Sequence, residues 1–197
     1  MSADFSNAIV EESGLGEFDK ISLDKLLQGK IVSLGTSIDN YTEGLSGSCS
    51  PKDLETFCQL IYLYFTSPRK DTVAFQSLMM QQKAMLQNRQ SSPEAIFQDT
   101  VAYAMSGYNY RSKPMTIDRL NEVNLDRALD VYKNRFADAS NFTFTFVGSF
   151  KPEELRPLVE TYIGGIPSSN SGETFRDLNM QAPKGKFERT VKKGVEP

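Results

Sequence analysis

The chain contains no histidine. The commonest general base and the commonest zinc ligand are therefore both missing, which excludes Ser-His and Cys-His nucleophilic catalysis. Cysteine is almost as scarce: Cys49 and Cys58 are too few for a disulfide framework or a Cys-based zinc site, and their unlike contexts suggest packing. No apolar run approaches the ~20 residues that a membrane-spanning helix needs. Charge of one sign is not in excess either. Lys and Arg number 22 against 25 Asp and Glu, a net charge of -3 that is interspersed along the chain, so the broad basic footprint of a nucleic-acid binder is absent.

What is present suits one good-sized domain. The chain has 197 residues, 39% of them hydrophobic and 24% charged, which is too apolar for a disordered segment. Residues 4–13 read as a helix with Phe5, Ala8 and Ile9 on one side, closed by Gly14 as a left-handed cap. Ser22 then reads as the N-cap of a short helix burying Leu23, Leu26 and Leu27 and ending at Gly29. From Lys30 the pattern alternates. Residues 30–38 and 41–49 read as an antiparallel hairpin turning at Asp39-Asn40, and Gly44 and Gly47 imply either a bulge or a close approach in the second strand.

Helices follow. Ser50-Pro51-Lys52-Asp53 is a helix start with Ser50 as cap, and Leu54, Phe57, Leu60, Ile61 and Phe65 form the apolar face up to the stop at Ser67-Pro68. A longer helix from Asp71 to about Gln90 carries Phe75, Leu78, Met79, Met85 and Leu86, read as core packing in preference to an adaptable binding surface. Ser92-Pro93-Glu94 opens another, with Ile96, Phe97, Val101 and Met105 inward. The polar aromatic stretch Tyr108-Asn109-Tyr110-Arg111 reads as a surface connection. Thr116 begins a short helix, and Asn124 caps a further one with Leu125, Ala128, Leu129, Tyr132 and Phe136 on its apolar face.

Residues 142–148, Phe-Thr-Phe-Thr-Phe-Val-Gly, alternate strictly and read as the clearest strand of the chain. Lys151-Pro152-Glu153 starts the last helix, which carries Leu155, Leu158, Val159 and Tyr162 to Gly164-Gly165. Ser168 to Gly172 reads as a flexible point, and residues 187–191 as one final strand. The order implies an α+β domain, an antiparallel sheet with helices packed on one face.

The succession of elements resembles half of a pitrilysin/insulinase-family zinc metallopeptidase, the family that includes the mitochondrial processing peptidases. The stretches that carry the resemblance are Ala8-Ile9-Val10-Glu11-Glu12 with the Gly14 stop, Asp39-Asn40-Tyr41-Thr42, the helix over 125–136, and 142–148 followed by Lys151-Pro152-Glu153-Glu154-Leu155. Active halves carry His-x-x-Glu-His, two histidines on zinc and a glutamate as general base. The matching positions here are Ala8, Glu11 and Glu12, so only the central glutamate remains. A third ligand, a glutamate on a later helix, would fall within Ala84-Met85-Leu86-Gln87-Asn88-Arg89, which contains no carboxylate. Three protein ligands are the usual minimum for catalytic zinc.

The resemblance thus implies a non-catalytic domain with a structural and substrate-chamber role, its zinc expected in the catalytic half of the parent. That half, in the same chain or a partner subunit, and a peptide substrate are the implied partners. Residues 1–167 would form the inactive domain, without its N-terminal strands, and 168–197 a linker and final strand; a bacterial envelope or periplasmic location is expected by the same resemblance. A stand-alone peptide-binding or assembly module is the alternative, since the small-residue strand, with Ser46, Gly47 and Ser48 as peptide contacts, offers itself to an added strand. A glycosidase-like role for Glu11 and Glu12 is poor: adjacent helical positions point about 100° apart and do not converge on one atom. A partly buried Glu11 would need a donor, such as a lysine or a backbone amide.

Overall fold

The computed structural model describes residues 1–174, 176–177, 181–186 and 188–192. These divide into two compact units, Met1–Leu78 with Val123–Thr174, and Met79–Glu122 with the described residues after 174. The fold is α+β: helices together with one two-stranded antiparallel sheet.

In the first unit a 3-10 turn, Ser2–Phe5, leads into α1, Ser6–Ser13. Gly14 stops α1 at φ 87° and ψ -168°, so the expected left-handed cap is instead a turn into extended backbone. Only glycine fits there, because a Cβ would stand 2.2 Å from the Phe18 carbonyl oxygen. Helix α2, Lys20–Leu26, is capped by Asp19, whose side chain accepts from the Ser22 amide at 2.7 Å. Ser22 is thus inside the helix. Asp begins the turn three residues earlier and satisfies the same orphan N–H groups. Leu23 is buried, whereas Leu26 is exposed.

The hairpin is β1, Val32–Ile38, against β2, Glu43–Cys49, in unbroken register from Val32 opposite Cys49 to Ile38 opposite Glu43. Close approach, not a bulge, explains Gly47. A Cβ on it would lie 2.2 Å from the Ser33 carbonyl oxygen and 2.9 Å from the Phe57 ring. After a 3-10 turn, Pro51–Asp53, α3 runs over Leu54–Thr66. Ser50 does not cap it; its hydroxyl donates to the buried Asp53 carboxylate at 2.6 Å, and the same oxygen accepts from the Ile31 amide at 2.9 Å. Asp53 therefore ties the entrance of α3 to the start of the hairpin.

Helix α7, Leu125–Arg135, capped by the Asn124 side chain, supplies the heart of this core through Leu125, Ala128, Leu129 and Tyr132, followed by Phe136. Each leucine or phenylalanine so removed from water contributes about 1.5–3 kcal/mol. Two phenylalanines of 142–148 join it: Phe142 lies 4.9 Å from Phe65 and 5.4 Å from Phe136, centroid to centroid, and Phe144 lies 5.9 Å from Phe65. The expected strand, however, pairs with no other among the described residues. Its alternation reflects one face set on an aromatic cluster and one face of threonines in water, which needs no ladder. The last helix, α8, spans Pro152–Leu158 and widens into a π-helical turn, Val159–Ile163.

Ser168 to Gly172 is anchored, contrary to the flexible point expected. The buried Asp138 carboxylate accepts from the amide and hydroxyl of Ser169 at 2.9 and 2.6 Å and of Ser171 at 2.9 and 2.8 Å, besides the Ser140 amide and hydroxyl at 3.0 and 2.6 Å.

Helix α4, Thr72–Ser91, extends from the first unit into the second, which also holds α5, Pro93–Met105, and α6, Ile117–Asn121. Two expectations fail here. On α4 Leu78 and Leu86 are buried, but Met85 is 56% exposed, because the methionines are spread around the helix. On α5 Ala104 is buried while Phe97, Val101 and Met105 face outward together, since periodicity places residues on one face without saying which face is covered. Ser92 and Thr116 do cap their helices, accepting from the amides of Ala95 and Arg119. Of the last expected strand, Phe187 lies outside the described residues and 188–191 are not in a strand.

Candidate functional site

Helix α1 places unequally the three positions that the resemblance matches to the motif. Ala8 and Glu11 are half-buried and Glu12 is exposed. Ile9 and Val10 between them are fully buried and fix the rotation of the helix. Glu11 turns toward β1, where its Oε1 accepts from the Thr36 amide at 3.2 Å. The donor is thus a backbone amide, one of the two kinds expected.

Around this contact the groups are locked together. The buried Tyr132 hydroxyl donates to the Tyr64 carbonyl at 3.2 Å, and the Tyr64 hydroxyl donates to the Leu34 carbonyl at 3.4 Å. Desolvation, with Glu11 adding negative charge, pushes the Tyr64 phenol up to about 12, and burial pushes Tyr132 up as well. Neither phenol is a ready proton donor at neutral pH. The hydrogen-bond chain joins α1, β1, α3 and α7 into a framework.

Zinc does not fit this donor set. Ala8 offers no ligand atom, Glu12 points to solvent, and the inward oxygen of Glu11 is occupied by the Thr36 amide. Among the described residues no three His, Cys, Asp or Glu side chains gather in a group that could hold a metal. Ala84, Met85 and Arg89, in the stretch matching the third ligand, are exposed on α4. The two cysteines are unpaired thiols, and burial raises Cys58 to about 11, which makes it an inert packing group.

A cavity lies elsewhere in the same unit. It has a volume of about 740 Å³ and runs between the outer side of β2 and residues 141–150, with Leu54, Phe57 and Ile61 of α3 as its floor. Ser46, Gly47 and Ser48 line it and are exposed. Sequence reasoning singles out these three as a strand edge but misses the facing wall, because it assigns 142–148 to the sheet. It misses Asp138 too, whose partners Ser169 and Ser171 lie more than 30 residues away, although the Asp-x-Ser and Ser-x-Ser pattern is visible once the two are placed together.

Helix α1 thus presents no set of metal ligands at the positions that the resemblance matches to a catalytic motif. Residues 122–197 match the family model described as the peptidase M16 inactive domain, so the resemblance to the pitrilysin/insulinase family is borne out. Among curated proteins the chain is similar to a zinc protease PQQL-like of Arabidopsis thaliana, 32% identical over 118 residues, covering 58% of this chain and 12% of that protein. It is also similar to the probable zinc protease PqqL of Haemophilus influenzae, 22% identical over 186 residues, covering 91% of this chain and 19% of that protein. The chain therefore spans less than a fifth of the length of these relatives. Among solved structures, the periplasmic protease PqqL from Escherichia coli matches at TM-score 0.76 and 22% identity, over 92% of this chain and 20% of that one. A point mutant of the ferredoxin protease FusC, in complex with Arabidopsis ferredoxin, matches at TM-score 0.70 and 17% identity, over the same shares. No helix among the described residues is long and apolar enough to cross a membrane.

Proposed function

We propose that this chain is a non-catalytic domain of a zinc metallopeptidase, serving as a wall of its substrate chamber while the catalytic half holds the zinc. The observation that carries this is Glu11: the one surviving motif carboxylate is bound to the Thr36 amide and acts as a brace between α1 and β1. The family match over 122–197 and the zinc-protease relatives support it. Residues 1–167 are the domain in this reading, and 168–197 lead out of it. The parent works on peptides in the bacterial periplasm, a reading supported by the periplasmic Escherichia coli relative.

Removing this segment from the full-length protease tests the reading. Proteolysis should fall at least tenfold while the catalytic half keeps its zinc; undiminished cleavage would refute a chamber role.

The open side of β2 favours a second reading, a peptide-binding or assembly module with contacts at Ser46, Gly47 and Ser48. An extended polypeptide laid along that edge would be held by main-chain hydrogen bonds. Under this reading the chain binds extended peptides unaided and needs no catalytic half.

A further inference from the structure

Residues 167–174 are fastened to the end of α7 and the turn after it at every second residue. The Pro167 carbonyl accepts from the Ala139 amide at 2.9 Å, Ser169 and Ser171 donate to the Asp138 carboxylate, and Asn141 Nδ2 donates to the Ser171 hydroxyl at 3.2 Å. Glu173 closes the series, with Arg135 donating to its two oxygens at 2.8 and 2.5 Å in a fork. Left-handed backbone at Asn170, φ 52°, turns the amides of Ser169 and Ser171 toward one point. They make a nest of the kind that binds anions, here filled by the chain's own Asp138. All eight residues are exposed. Polar contacts alone therefore hold the strap, which puts it among the segments that open first.

Arg135 is shared. Its Nη1, which donates to Glu173, also stands 3.7 Å from Oε1 of Glu43, the first residue of β2 and part of the cavity lining. At that distance the two form an ion pair without a hydrogen bond. The Glu43 side chain is 18% exposed against 42% for Glu173. A less hydrated carboxylate gains more from a guanidinium, and among the described residues Arg135 is the one cation within ion-pair distance of Glu43. The Nη1–Nη2 edge completes a fork with one carboxylate at a time.

We propose that residues 167–174 are a releasable strap and that Arg135 relays its position to β2: docked, the guanidinium forks Glu173; released, it swings to Glu43 and closes that pair to hydrogen-bond distance. The strap and the start of β2 compete for one cation. Movement of the chain beyond Glu173 is thereby felt at the rim of the cavity. This coupling goes beyond the chamber role and does not depend on it.

Amide exchange at Ser169 and Ser171, whose N–H groups bond to Asp138, reads the opening of the strap. Glu173→Gln removes the docked partner and should speed that exchange roughly two- to fivefold, the range of an exposed ion pair. Glu43→Gln removes the competitor and should slow it by roughly twofold. The slowing should vanish when Glu43→Gln is added to Arg135→Gln and compared with Arg135→Gln alone. Opposite signs for the two carboxylates, both acting through Arg135, are the expected result. Faster or unchanged exchange in Glu43→Gln would make Glu43 a brace of the strap or a bystander and would overturn the proposal. So would unchanged exchange in Glu173→Gln, or a slowing that persists without Arg135. No peptide cleavage enters the readout, so a failed chamber role and a failed strap are told apart.

Discussion

The amide of Thr36 donates to Oε1 of Glu11 across 3.2 Å, joining the first strand of the hairpin to the helix at the motif position. The Glu11 carboxylate is a structural acceptor. Replacing Glu11 with Ala should leave the amide without a partner and cost about 1–3 kcal/mol. Glu11→Gln keeps an oxygen acceptor and should cost less than half as much. Urea unfolding of the two variants checks the order, and equal losses would show that the bond contributes little.

Alkaline pH should weaken the fold through its two buried tyrosines. Their phenols titrate near 10 when unfolded, while in the fold Tyr64 is raised to about 12 and Tyr132 is raised also. A raised acid holds its proton longer in the native state, so the stabilisation is complete below pH 10 and is lost as pH rises from there through the folded values. Each tyrosine contributes a slope of about 1.4 kcal/mol per pH unit in that window. Tyr132→Phe should remove its share of the slope, as followed by tyrosinate absorbance and denaturant midpoints between about pH 9 and 12.

How much of this is legible in the sequence depends on whether a signal is local. Helix α7 is readable because Asn124 and the spacing of Leu125, Ala128, Leu129 and Tyr132 act within one helix. Helix α2 is legible but its cap is not, since Asp19 and Ser22 are both good capping residues and only the backbone decides between them. Residues 142–148 mislead because alternation reports which face is apolar and not whether the edge is paired. The exposed stripe of Phe97, Val101 and Met105 has the same cause. The absence of histidine is plain in the sequence, but that Glu11 turns to Thr36 needs the hairpin placed beside α1.

Asp138 should govern access to the segment that follows Pro167. Six donors hold its carboxyl well below the usual range, first among them the hydroxyls of Ser140 and Ser169. Asp138→Asn exchanges one acceptor oxygen for a donor and sets it against serines that already donate. Limited proteolysis should then nick residues 168–172 at least several-fold faster, with the core otherwise intact. An unchanged nicking rate would mean the anchor is dispensable.

Gly47 should not tolerate a side chain. An added methyl would meet the Ser33 carbonyl oxygen at 2.2 Å and the Leu34 Cα at 2.9 Å, both backbone atoms that cannot swing aside. Gly47→Ala should cost about 1–3 kcal/mol and speed amide exchange across the hairpin, whereas Ser46→Ala, exposed on the same strand, should do neither.

The proposed function requires that this chain cut no peptide unaided, and the most direct test is zinc titration with peptide cleavage measured on the same sample. The expected result is no stoichiometric zinc at micromolar concentration and no chelator-sensitive cleavage, with Glu11→Gln indistinguishable from the parent sequence. One zinc per chain together with cleavage that a chelator abolishes and Glu11→Gln removes would contradict it.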